Sequence, residues 1–164
     1  NATETAMNPI APGLLVLLTL ATAPAYAHGN KCKKIQADLV EVSSTQACNP
    51  GLATCFLGEV DGNHGVRGVT HFNGDSGAAG PATSAGFISY SGPFEYRLEK
   101  GSLTMRETGV TTSGPAAGVV TAYQKIVAGT GEFAGATGYF FVSGLKDGHG
   151  MIDTFINGEI CFQK

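Results

Sequence analysis

The sequence predicts a single all-β domain, a meander of up to nine strands stapled by disulfides. Three observations carry this expectation. Beyond residue 27 the apolar residues alternate with polar ones in short runs, and no stretch of 11 or more residues shows a helical stripe. Glycine supplies 24 of 164 residues, about twice its usual share of roughly 7%, without the G-X-Y period of collagen. Four cysteines, an even number, all follow residue 27 and read as two bridges.

Taken in order, the chain begins with a segment that is set apart from the fold. Ile10 to Ala23 is an almost uninterrupted apolar run, and Pro24-Ala25-Tyr26-Ala27 carries alanine at both positions of a small-x-small cleavage signal. The run is about 14 residues, where a spanning helix needs about 20, so removal is expected and not anchoring. Residues 1–27 are therefore an N-terminal extension plus secretory signal, and residues 28–164 form one domain that is secreted or periplasmic. With 43% apolar residues, 14% charged residues and a net charge of −3, the chain can bury a core and lacks the basic footprint of a nucleic-acid binder.

The strands follow. They are expected at Lys34 to Ser43, Thr54 to Asp61, Val66 to Phe72, Ala85 to Ser91, Pro93 to Glu99, Ser102 to Thr108, Val119 to Ala128, Gly138 to Leu145 and Met151 to Phe162. Turn residues part them at Asp61 to Gly65, Ser91-Gly92-Pro93, Lys100-Gly101, Gly129-Thr130-Gly131 and Asp147 to Gly150. Asn73 to Ser84 and Gly109 to Gly118, built of small residues, are expected as loops at a barrel rim or sheet edge. Three cysteine pairings are open. Cys48 with Cys55 would close a short loop around Asn49-Pro50-Gly51, and Cys32 would then join Cys161 if the first and last strands are antiparallel neighbours.

A two-residue turn at Lys100-Gly101 would set Leu98 against Leu103, Tyr96 against Met105, Glu95 against Arg106 and Phe94 against Glu107. Phe94, Tyr96, Leu98, Leu103 and Met105 then share an apolar face, and Glu95, Arg97, Glu99, Thr104 and Arg106 a wet one. Glu107 falls on the apolar face at the strand end. Either the strand has reached the solvated rim there, the favoured reading, or an interior carboxylate marks a catalytic group.

The segment Ile126-Val127-Ala128-Gly129-Thr130-Gly131-Glu132-Phe133-Ala134-Gly135-Ala136-Thr137-Gly138-Tyr139 lacks the Lys of a phosphate loop and is followed by strand residues and not a helix. It reads as a tight glycine turn with Phe133 tucked beneath it. This strand, GTG-x-F-x-x-A-x-G turn, strand arrangement resembles the allene oxide cyclase and dirigent barrel superfamily. The resemblance covers Phe56 to Phe162 in architecture and is specific in residues over Gly129 to Tyr139. It implies an eight-stranded barrel with an apolar cavity that steers the cyclisation or coupling of a reactive small molecule, an isomerase-like or cyclase-like activity if any, and it assigns no catalytic residue. The paired cysteines depart from the general pattern.

Tyr90, Tyr96, Tyr123 and Phe141 are the residues expected to line such a cavity, with core packing as their ordinary role. His71 shares the side of its strand with Val69 and joins them as a ligand-binding candidate, while Glu107 is the catalytic candidate. His64 and His149 read as solvated turn residues. His28, at a cleaved terminus, has chelating capacity that Lys31, Lys33 and Lys34 oppose, so no metal and no cofactor is assigned. No Gly-x-Ser-x-Gly elbow is present. Two functions lead: a barrel that binds a small apolar molecule, and a secreted structural or interaction protein without a reaction. An empty apolar cavity of about 300 Å³ or more would favour the first. Homo-oligomerisation is open.

Overall fold

Alternation of apolar and polar residues commits the barrel strands to a pleated form with one face buried, while the short strand of small residues at Ser76–Ala79 is exposed on both faces. The structure, a computed structural model, describes residues 31–48, 50 and 54–162. The expected signal, His28 and part of the Asn49-Pro50-Gly51 turn lie outside the described residues. Nine strands occur among those described: β1 (Lys31–Ser43), β2 (Cys55–Gly62), β3 (Arg67–Asn73), β4 (Ser76–Ala79), β5 (Phe87–Leu98), β6 (Gly101–Thr112), β7 (Gly118–Gly129), β8 (Thr137–Lys146) and β9 (Met151–Phe162). Every pairing is antiparallel, in the order β3-β2-β1-β9-β8-β7-β6-β5-β4, and β3 also pairs with β5. That extra pairing closes eight strands into a barrel and leaves β4 outside it.

Both bridges take the connectivity favoured by loop length and strand adjacency. Cys32 joins Cys161, which are direct partners across β1 and β9, and Cys48 joins Cys55. Neighbouring first and last strands are what permit the long bridge.

Three local expectations need correction. Ser91-Gly92-Pro93 is no turn, and β5 runs unbroken through it. Proline is tolerated there because β5 changes partner at this point, from β3 as far as Phe94 to β4 from Ser91 onward, so no ladder on that side needs its missing N–H. Gly92 clears the crossing: a Cβ would lie 2.4 Å from the Asn73 carbonyl oxygen. Second, Asn73 to Ser84 is not simply a loop but contains β4 and a 3₁₀ turn at Ala82–Ser84, and strand β6 extends to Thr112. Third, the β5–β6 turn lies at Glu99-Lys100, so Leu98 pairs with Gly101, Tyr96 with Leu103, Phe94 with Met105 and Gly92 with Glu107. The slip moves each partner by two positions and preserves face parity, so Phe94, Tyr96, Leu98, Leu103 and Met105 are all buried as expected. The expected Glu95–Arg106 pair is absent. Arg106 instead holds Asp75 beside β4, with Nη2 2.7 Å from Oδ1, and Arg97 reaches Glu95 at 3.3 Å.

One end of the barrel is filled. Phe133 from the 3₁₀ turn Gly131–Phe133, Val66, Ala136, Leu103, Ile126 and Ile35 close it. Gly131 (φ 59°) and Gly135 (φ 71°) take backbone conformations that side chains resist, which lets Phe133 turn inward as the sequence predicts. Above this plug an aromatic column rises: Tyr96–Phe94 at 4.8 Å between ring centroids, Tyr96–Phe140 at 5.6 Å and Phe94–Phe72 at 6.0 Å. The filling stops short of the other end, where strands β1, β3, β6 and β8 finish.

Candidate functional site

At the open end the interior contains a cavity of about 210 Å³. Phe56, Phe72, Ile88, Val120, Val142 and Ile152 give it apolar walls, and Tyr90, Glu41, Glu107 and Lys146 give it polar groups. Its volume is below the roughly 300 Å³ at which drug-sized ligand sites begin. The cavity thus falls short of the size expected for the ligand-binding reading, and suits a smaller molecule or the end of a longer one.

Glu107 is inside. It is 5% exposed, not at a solvated rim, because β6 continues five residues past it to Thr112 and carries the barrel wall beyond the carboxyl. Its direct partner on β7 is Gln124, which is fully buried and donates from Nε2 to Glu107 Oε2. Tyr96 Oη in turn donates to Gln124 Oε1 at 2.5 Å. Tyr90 hydrogen-bonds Glu107 from the other side. Tyr90 reaches it because its partner across β5 and β6 is Gly109, where a Cβ would lie 2.5 Å from the tyrosine ring. Burial raises the Glu107 carboxyl to a pKa of about 7, against the opposing pull of the Gln124 and Tyr90 hydrogen bonds.

A second interior carboxyl, Glu41, is 7% exposed. Its row runs Glu41–Gly58–Thr70 across β1, β2 and β3, and Gly58 makes the room: a Cβ there would lie 2.7 Å from Glu41 Cγ and 2.6 Å from Thr70 Oγ1. Glu41 Oε1 and Thr70 Oγ1 have no hydrogen-bond partner among the described residues. Desolvation, then repulsion from Glu107, pushes the Glu41 carboxyl well above the usual carboxylate range. The two glutamates thus differ in kind: Glu107 is held in a chain of hydrogen bonds, whereas Glu41 is bare.

Tyr90, Tyr96 and Glu107, of the residues proposed from sequence, come together here. Tyr123, Phe141 and His71 do not. Tyr123 (40% exposed) and Phe141 (54% exposed) are direct partners on the outer face of β7 and β8, 5.4 Å apart, and with Tyr139 they form an exterior aromatic cluster. Their in-out parity is the opposite of that of Ala122, Gln124 and Val142, which hold the interior positions. His71 faces outward with Val69 into an exterior groove of about 620 Å³, its Nε2 3.4 Å from the Cys55 sulfur, because Thr70 and Phe72 take the inward positions of β3. His64 and His149 are exposed in turns, as expected.

Sequence reasoning missed Glu41, Gln124 and Thr70. The signal for the first was present: Glu41 stands in the inward register of Ile35, Ala37 and Leu39. Among the described residues no helix is long and apolar enough to cross a membrane. No family model, no curated protein and no solved structure matches the chain.

Proposed function

We propose that the protein is an exported barrel that binds a small, predominantly apolar molecule in its open end, with Glu107 as the group that exchanges a proton with it. The observation that carries this is the unfilled space beside a buried, hydrogen-bonded carboxyl with a pKa of about 7, where it can serve as either acid or base. In this reading the walls fix the ligand's conformation and Glu107 assists a cyclisation or coupling, as the resemblance to allene oxide cyclase and dirigent barrels implies. Export fits two disulfides, which persist in oxidising compartments.

The test is native mass spectrometry of protein purified from its own source, followed by a thermal-shift screen of apolar ligands. Retained or screened ligands that stabilise the wild type and fail to stabilise Val120→Phe/Val142→Phe, which fills the cavity, support the reading. An empty protein that no apolar ligand stabilises overturns it.

A second reading has its own observation. The outer-face cluster of exposed Tyr123 and Phe141 with half-buried Tyr139, and the modest cavity, favour an exported interaction protein without a reaction, since exposed contiguous apolar surface marks contact sites. Replacing Tyr123 and Phe141 by Ser leaves ligand binding intact under the first reading and abolishes partner binding under the second.

A further inference from the structure

The cavity carries two carboxyl groups and no side-chain cation bonded to either. The titratable and charged groups that face it are Glu41 from β1, Tyr90 from β5, Glu107 from β6 and Lys146 from β8. Lys146 is anchored at the rim, where Nζ donates to the Thr112 carbonyl at 2.5 Å and the Gly114 carbonyl at 2.6 Å. It forms no ion pair with either glutamate among the described residues. Glu41 Oε1 is a buried acceptor without a partner among the described residues, and so is the Thr70 hydroxyl behind it, which can both donate and accept. Glu107 accepts from Gln124 and Tyr90, which leaves about half of a carboxylate's four or so lone-pair sites free. Phe72 and Tyr90, packed edge to face at 5.6 Å, and Phe56 surround this group with aromatic surface, which attracts cations.

We propose that the open end recognises a small organic amine, bound as its ammonium ion between Glu41 and Glu107 with its apolar body against Phe56, Phe72 and Val142. This deepens the proposed binding function and rests on it. A primary ammonium brings three N–H donors to a site rich in free acceptors. A neutral alcohol brings one, and a ligand carboxylate adds a third acidic group to two already buried together. Burial of both carboxyls, with repulsion from Glu107 added at Glu41, raises their hold on protons in the empty site, and a cation between them favours their ionised forms. Amine binding therefore displaces protons from the protein, and affinity rises with pH between about 5 and 8 while the amine stays protonated.

Isothermal titration of the full disulfide-bonded chain with benzylamine, benzyl alcohol and benzoate tests the proposal, since the three share a ring and differ in the polar group. Benzylamine is expected to bind about tenfold or more tightly than benzyl alcohol at pH 7.5, and benzoate not to bind. E41Q and E107Q are each expected to lower benzylamine affinity about tenfold while leaving benzyl alcohol nearly unchanged, with circular dichroism confirming the fold. Equal binding of amine and alcohol, or amine binding that neither variant weakens, overturns the amine assignment and leaves the apolar cavity reading standing. Binding of none of the three also overturns it, and the cavity reading is then judged by its own ligand screen.

Discussion

Glu107 makes stability depend on pH in the direction opposite to that of a salt-bridged carboxylate. Its ordinary pKa of 4.5, taken for the unfolded chain, becomes about 7 in the folded protein, with desolvation the leading cause. A raised folded-state pKa means that the proton binds more tightly to the native state. The associated stability is complete below pH 4.5 and is lost as pH rises through 7. At about 1.4 kcal/mol per unit, the loss amounts to roughly 3 kcal/mol, on the order of 10 °C in melting temperature for a domain of this size. Glu41, also raised, adds a loss of the same sign. The lowered pKa values of Asp75 and Asp147 act only near and below 3.8 and so fall outside this window.

Glu107→Gln isolates the effect, because the amide oxygen can still accept from Gln124 and Tyr90 but cannot ionise. Urea unfolding followed by circular dichroism, without reductant, from pH 4.5 to 8 should show wild-type stability falling relative to the variant by about 3 kcal/mol. Most of the divergence should lie between pH 4.5 and 7. Parallel curves, or a wild type that gains on the variant with rising pH, would refute the burial of an ionisable Glu107.

Three further outcomes are expected. Gly58→Ala places a Cβ 2.6 Å from the Val40 carbonyl oxygen and from Thr70 Oγ1, so denaturant unfolding should register a loss of about 1–3 kcal/mol, with Glu41 displaced. Tyr96→Phe strips the donor from the buried Gln124 Oε1 and should cost about 1–3 kcal/mol, measured in the same way. Removing the Cys32–Cys161 bridge, with a sequence separation of 129, should cost about 5 kcal/mol on loop entropy, against about 2 kcal/mol for Cys48–Cys55, with a separation of 7, and paired Cys→Ser variants compared by urea midpoint will rank them.

Strand class, chain order and the plugging role of Phe133 were legible in the residues themselves, because alternation and glycine turns are local quantities, whereas the cysteine pairing stayed open until β1 and β9 were seen to be neighbours. Face assignment in the β5–β6 hairpin survived a wrong turn position, since a two-residue step keeps parity. What failed depended on distant partners. Pro93 reads as a turn until β3 and β4 are seen to share the edge of β5, and Glu107 reads as a rim residue until the strand is seen to continue past it. Tyr123 and Phe141 share their residue types with the cavity-lining Tyr90 and Phe72, and His71 shares a strand face with the apolar Val69. Only the closed sheet decides which of the two faces points inward, and it turned these three out. The pairing of Glu41 with Glu107 is the clearest case: 66 positions separate them in the chain. Barrel closure puts both carboxyls in one small space, where desolvation of both and the repulsion of Glu41 by Glu107 give them a chemistry neither has in the sequence.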